Sequence, residues 1–418
     1  MQKRTITAAV LLSLLLMTGC AGQTSQSSSE SVPPALPDDS ADWVTMPYIP
    51  EENEPEAEPA TEPETEPERD YHRAERMLEK MTLHEKICQM FIVTPEQLTG
   101  YGSQTMYDDW TGTCIEAFPV GGFIMFSQNI WSAEQITAFN SALAEKAMQS
   151  GIGAFISVDE EGGSLTRLQP VIGGEAVNDM AYYGELNDYD AAYEAGAILG
   201  RELSGCGFNL DFAPVADVNL SPDNELGRRI FSSDPDIVAA MSAAVSDGLH
   251  SEGICSTLKH FPGLGAGSAN THYGSVWIDR TYDQLQNTEF TAFSGGIAAG
   301  ADFVMVGHQI TSGAEDDLPG DLSWRVTTEW LRKNLGFEGI AISDSHQMGA
   351  ITNNYTADVA AVMAVQAGID IILMPADTAG AVYGIEAAVD NGDISEERID
   401  ESVLRILEKK DELGLLDN

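Results

Sequence analysis

Ionisable side chains fall at the end of most short apolar runs in this sequence. Asp159, Glu160 and Glu161 follow the run 154–158, Asp211 lies next to the end of 208–212 with Asp217 after it, and Lys259 and His260 follow 255–258. His308 comes after 302–306, Asp344 and His346 after 339–342, and Asp377 after 370–374. Carboxylates can attack carbon or move protons, imidazoles exchange protons near neutrality, and a lysine binds polar substrate groups through charge-assisted bonds. Strand ends that simply meet solvent would explain one or two such charges. They explain poorly the block Lys259, His260, Phe261, Pro262 and Gly263. A metal site built from His260, His272, His308 and His346 is the other chemistry these residue types allow. The first run, residues 89–93, lacks the paired histidine ligands that metal-dependent barrels place there.

The apolar runs must be the elements that hold these groups. Eight are readily counted, at 90–93, 122–126, 154–158, 208–212, 255–258, 302–306, 339–342 and 370–374. Stretches of helical period lie between most of them, at 132–149, 190–204, 237–252, 284–299 and 356–367. Continuous apolar strands alternating with helices imply a parallel sheet buried on both faces. Eight such units favour a (β/α)8 barrel over an open doubly wound sheet, and a barrel builds its active site at the C-terminal ends of its strands. Met305 and Met374 lie within the runs and read as core. The glycines at 162–163 and 263–267 match neither GxGxxG nor GxxxxGK[ST], so a nucleotide role is weak.

The 418 residues include 66 Asp and Glu against 21 Lys and Arg, a formal charge of -45. Nucleic-acid binding needs the opposite sign, so it is excluded as a function class. With 43% hydrophobic residues, most of the length can bury a core. The five cysteines, Cys20, Cys88, Cys114, Cys206 and Cys255, form no CxxC pair and support neither a disulfide framework nor a zinc ribbon.

Lys3 and Arg4 precede an apolar stretch from about Ile6 to Met17, and Thr18, Gly19 and Cys20 follow. This reads as an export signal whose apolar run is too short for a span of about 20 residues. The small residues before Cys20 resemble a bacterial lipobox, with Met17 where Leu is commonest. That implies cleavage before Cys20, lipid attachment to it, and membrane association by a lipid anchor only. A plain secretory signal is the alternative. Residues 21–70 are rich in Ser, Pro and Glu, read as a disordered, extended tether, and contain Trp43 and Tyr48. Residues 71–418 read as one catalytic domain.

Five motifs in order resemble glycoside hydrolase family 3. They are the segment 159–167 with Asp159, Gly162, Gly163 and Arg167; Asp211 with Pro214; the block 259–263; His308; and Asp344 between Ser343 and Ser345. The resemblance is greatest to single-barrel bacterial β-N-acetylhexosaminidases, and it implies retaining hydrolysis of terminal β-linked N-acetylglucosamine without a cofactor. Longer members carry the acid/base on a second domain, which this chain is expected to lack.

By this resemblance Asp344 is the nucleophile; a helix N-cap is the bland reading of the same residue. His272, in the Gly-rich loop 263–272, is the acid/base, and Asn270 stands where the family has Asp. A neutral amide can orient His272 but supplies no charge to stabilise its imidazolium. Asp159, Arg167, Arg229, Lys259 and His260 would bind the sugar, and His308 is a candidate lining residue or, equally, a satisfied core histidine. Arg229 aligns with a substrate-binding Arg, although Ile230 departs from the family's Ser. His346 has no counterpart. The rivals are a same-fold β-glycosidase of other sugar preference and a glycan-binding lipoprotein impaired by Asn270. Phosphate in place of water as the acceptor is a minor variant.

Overall fold

The computed structural model describes residues 72–417. The export signal, Cys20 and the 21–70 tether with Trp43 and Tyr48 lie outside the described residues. Within them, each of the eight apolar runs yields one strand. The strands are β1 (Phe91–Val93), β2 (Gly122–Met125), β3 (Phe155–Val158), β4 (Leu210–Asp211), β5 (Thr257–Phe261), β6 (Trp277–Ile278), β7 (Phe303–Val306), β8 (Ile310–Thr311), β9 (Ile340–Ser343) and β10 (Ile372–Leu373). Only β6 and β8 were not expected, and they pair with each other away from the rest.

The other eight run parallel, in the order β10, β1, β2, β3, β4 in one sheet and β5, β7, β9 in a second. Isolated parallel bridges join the two, Leu210 to Cys255 on one side and Ile342 to Ile371 on the other. All residues of β1, β2, β3, β5, β7 and β9 are buried. That is why these strands read as continuous apolar runs, since helices cover one face and the sheet curls over the other. The architecture is an α/β, TIM-barrel-like fold. Phe155 of β3 meets Phe303 of β7 edge to face across the interior, with centroids 5.3 Å apart, a contact worth about 0.5–1.5 kcal/mol beyond its buried area.

The helices begin where the sequence caps them. Ser132, Asp188 and Asp234 each accept a backbone N–H at the start of Ala133–Met148, Tyr189–Gly205 and Pro235–Ser251. The helix expected over 284–299 is instead two, Tyr282–Gln286 and Glu289–Ala298. Between them Asn287 and Thr288 turn their side chains onto the carbonyls of Asp283 and Gln284. Such bonds compete with helix continuation. No described helix is long and apolar enough to cross a membrane. Cys88, Cys114, Cys206 and Cys255 are buried free thiols.

Candidate active site

A cavity of about 350 Å³ opens at the C-terminal ends of the parallel strands, within the range of small-molecule sites, roughly 300–1,000 Å³. Asp159, Arg167, Arg229, Lys259, His260, His272 and Asp344 all line it. These come from the ends of β3, β5 and β9 and from the loops that follow β3, β4 and β5. Residues scattered over more than 180 positions are therefore gathered by one feature, the parallel direction of the strands.

Asp344 sits one residue beyond β9, and its backbone N–H donates to the Val306 carbonyl at 2.9 Å. Its Oδ1 accepts the Ser345 N–H at 2.7 Å. It caps no helix, because the next one, Gly349–Thr352, begins after Met348. Burial alone would raise its carboxyl pKa. The positive charges of His308, His260 and Lys259, with the Ser345 N–H, outweigh burial and hold it below the usual range. The group is thus an ionised carboxylate with one oxygen fixed.

Beside it lies a dense charge network. Lys259 Nζ reaches Asp159 Oδ1 at 2.9 Å and Glu161 Oε1 at 2.5 Å. Glu161 also takes both arms of Arg229, at 2.7 and 2.8 Å. Burial would raise the Glu161 pKa, yet the two cations bring it down to about 2. Burial likewise opposes the charge on Lys259, and the facing carboxylates still keep its pKa above the ordinary value. His260 Nδ1 is 2.8 Å from Asp217 Oδ2, and Asp217 also accepts the backbone N–H groups of His260 and Leu264. Glu160 holds the neighbouring loop by accepting the N–H groups of Arg167, Leu168 and Gln169. The Arg167 guanidinium leans over Phe126 at 5.8 Å, and its buried Nε has no partner among the described residues.

His272 is exposed at the cavity edge. Asn270 Oδ1 accepts the His272 backbone N–H at 2.8 Å and lies 3.0 Å from its Nδ1. Because the backbone N–H is a donor, the atom facing the ring is the amide oxygen, so Nδ1 carries the proton of a neutral ring and Nε2 is its bare nitrogen. Asn270 itself does not line the cavity. The loop is docked onto the segment after Asp344, with Gly349 N donating to His272 O and Ala350 N to Thr271 O. A Cβ on Gly349 would come within 2.8 Å of Tyr273 backbone, so this approach requires glycine.

Of the two readings of His308, the lining role is corrected and the core histidine stands: it does not line the cavity but is fully buried, between Asp321 and the Ser345 carbonyl. Asp377, also at a strand end, caps the helix Thr378–Asp390 and stays outside the cavity. Sequence reasoning missed Glu225, whose carboxylate lines the cavity and receives the N–H and hydroxyl of Thr271 at 3.3 and 3.4 Å. It also missed the pairing roles of Glu161, Asp217 and Asp321. Among the described residues no group of three or more His, Cys, Asp or Glu is arranged to hold a metal ion.

Comparison with known proteins identifies the family. The model of the glycosyl hydrolase family 3 N-terminal domain matches residues 82–409. The chain belongs to that family. It is 31% identical over 279 residues to beta-hexosaminidase A of Pseudoalteromonas piscicida, covering 62% of this chain and 46% of that protein. It is 32% identical over 308 residues to beta-hexosaminidase LpqI of Mycobacterium tuberculosis, covering 71% and 77%. Among solved structures, a family 3 beta-N-acetylglucosaminidase from Paenibacillus superposes with a TM-score of 0.75 at 32% identity, covering 81% of this chain and 64% of that one. The chain thus spans about half of the first relative and just under two thirds of the Paenibacillus structure.

Proposed function

We propose that this protein is a retaining exo-glycosidase that removes terminal β-linked N-acetylglucosamine from cell-wall or related glycans, on a closed (β/α)8 barrel. The observation that carries the reading is one cavity lined by an ionised, fixed carboxylate, an oriented imidazole and a cluster of charged side chains. Its relatives named beta-hexosaminidase and beta-N-acetylglucosaminidase support the sugar.

In this reading Asp344 attacks the anomeric carbon and forms a bond to it while the glycosidic C–O bond breaks. The departing oxygen takes a proton from Nε2 of protonated His272. Water then attacks the glycosyl ester, giving its proton to Nε2 and releasing Asp344. Nδ1–H stays with Asn270 Oδ1 throughout, which fixes the ring plane. Lys259, His260, Asp159, Arg229 and Arg167 grip the ring hydroxyls, and no cofactor takes part. Lipid on Cys20 and the 21–70 tether would hold the domain outside the cytoplasmic membrane.

A panel of chromogenic β-glycosides tests the sugar. The N-acetylglucosaminide should turn over far faster than the glucoside, xyloside or galactoside; preference for another sugar would overturn the assignment. A second reading, glycan binding without turnover, draws on the neutral Asn270 at the place where a carboxylate would support the imidazolium. Saturable N-acetylglucosamine binding with no hydrolysis, unrestored by Asn270→Asp, would favour it. The first reading instead expects Asn270→Asp to raise kcat by up to about tenfold, and to move the alkaline limb of the rate profile to higher pH as the imidazolium gains a counter-charge.

A further inference from the structure

Below Asp344 lies a polar chain that the proposed reaction does not use. His308, in the segment after β7, points Nδ1 at Asp321 Oδ1 at 2.9 Å and Nε2 at the Ser345 carbonyl oxygen, also at 2.9 Å. Asp321, in the turn Gly320–Leu322, accepts a second bond at Oδ2 from His346 Nε2 at 2.8 Å. His308 and Asp321 are wholly buried, and His346 is 2% exposed. His346 Nδ1 is buried without a partner among the described residues.

The partners decide the protonation state. A backbone carbonyl accepts only, and so does an ionised carboxylate. A neutral imidazole has one bare nitrogen, which would then face an acceptor across 2.9 Å in a site with no room for error. Both His308 nitrogens satisfied at once require two N–H groups, which is the imidazolium. The carboxylate of Asp321, already receiving the His346 N–H, supplies the counter-charge.

We propose that His308 is a permanent imidazolium which, clamped by Asp321, positions the Ser345 peptide and keeps Asp344 ionised. The Ser345 peptide is the link. Its carbonyl receives Nε2–H of His308, while its N–H donates to Asp344 Oδ1 at 2.7 Å. One ring therefore fixes the peptide that fixes the carboxylate, and its charge lies on the same side. His308 is a positioning residue, since it touches neither the cavity nor the reacting atoms. The proposal rests on Asp344 being the nucleophile.

The charged and titratable groups around the pair are few. Asp344 and His346 flank it on the β9 side, Asp321 on the turn, and Lys259 and His260 across the cavity on β5, with Asp217 behind His260 and Tyr355 toward Asp321. Burial disfavours a charged ring, and Asp321, Asp344 and the Ser345 carbonyl reverse this, raising the His308 pKa to about 9. Burial would raise Asp321 as well, and the two imidazoles bring it down to about 2. The geometry and the electrostatics agree.

Nitrogen NMR of the ring tests the first half. At pH 8, where an ordinary histidine of pKa about 6.5 is neutral, both His308 nitrogens should carry protons, and Asp321→Asn should strip one of them. The second half is read from the Asp344 carboxyl carbon and from the rate profile. His308→Gln should move the Asp344 titration to higher pH, and kcat/KM should fall about threefold to tenfold more at pH 4.5 than at pH 7. A purely structural role would lower kcat/KM equally at both. A bare ring nitrogen at pH 8, or an Asp344 titration unmoved by His308→Gln, overturns the proposal. The ring measurement needs neither a variant nor turnover. It therefore stands if a substitution prevents folding, and a failure of the glycosidase reading shows separately as absence of hydrolysis.

Discussion

Among the described residues two lysines are buried, at opposite ends of the strands, and their surroundings could hardly differ more. Lys259, on β5 at the C-terminal side, faces Asp159 and Glu161 and keeps its charge. Lys410, on the last helix, lies among the N-terminal strand ends, 2.6 Å from Gln89 Oε1 and 5.1 Å over the Phe155 ring. No carboxylate among the described residues pairs with it, and burial alone pushes its pKa down to about 7. The same residue type is thus held charged at the cavity mouth and loses its proton readily where the fold is only packed. Burial by itself drives a lysine toward neutrality; facing carboxylates that offset the burial cost keep it charged.

If the C-terminal mouth is the reacting end, its variants should lose activity and those at the opposite end should change stability. Asp344→Asn should lower kcat by roughly ten-thousand-fold or more while the unfolding transition barely moves. His272→Ala should cost about a hundredfold to ten-thousand-fold with poor leaving groups and far less with activated aryl glycosides. Equal, mild losses from both substitutions would argue against these roles.

Lys410→Met should leave kcat unchanged and raise the unfolding free energy by up to about 4 kcal/mol near pH 7. The sign follows from the depressed folded-state pKa. Between about pH 7 and 10.5 the unfolded chain holds a proton that the folded chain lacks, so native stability climbs with pH across that window. The variant should lose this climb, as read from urea midpoints at several pH values.

Glu161→Gln converts the mouth toward the condition of the base, leaving Lys259 and Arg229 short of a charge. It should cost about 3 kcal/mol of stability. Because Glu161 is held at about 2 rather than 4.5, the stabilisation it provides is complete above about pH 4.5 and lost as pH falls toward 2. That acid-limb loss should be smaller in the variant.

The strands were legible because both their faces are buried, which leaves no alternation to disguise them. The strand-end rule then located Asp159, Lys259, His260 and Asp344 together. What stayed hidden depended on pairings without a sequence period. His308 looked like a lining residue because it follows a strand, yet Asp321, thirteen positions on in a short turn, draws it inward. His346 had no explanation from its neighbours for the same reason, since its partner is that same Asp321. Glu161 read as one of three acids in a row, and only the return of Arg229 from the loop after β4 gives it a distinct task. The break of the 284–299 helix turned on side chains competing for carbonyls, an effect that helical periodicity does not register.

The central claim is a covalent bond between Asp344 and the anomeric carbon of an N-acetylglucosaminyl unit. A slow fluorinated N-acetylglucosaminide, followed by proteolysis and mass spectrometry, tests it most directly. The account expects one added glycosyl unit, on the peptide containing Asp344 and on that residue. An adduct on another carboxylate, or rapid turnover with no adduct at any time, would contradict it.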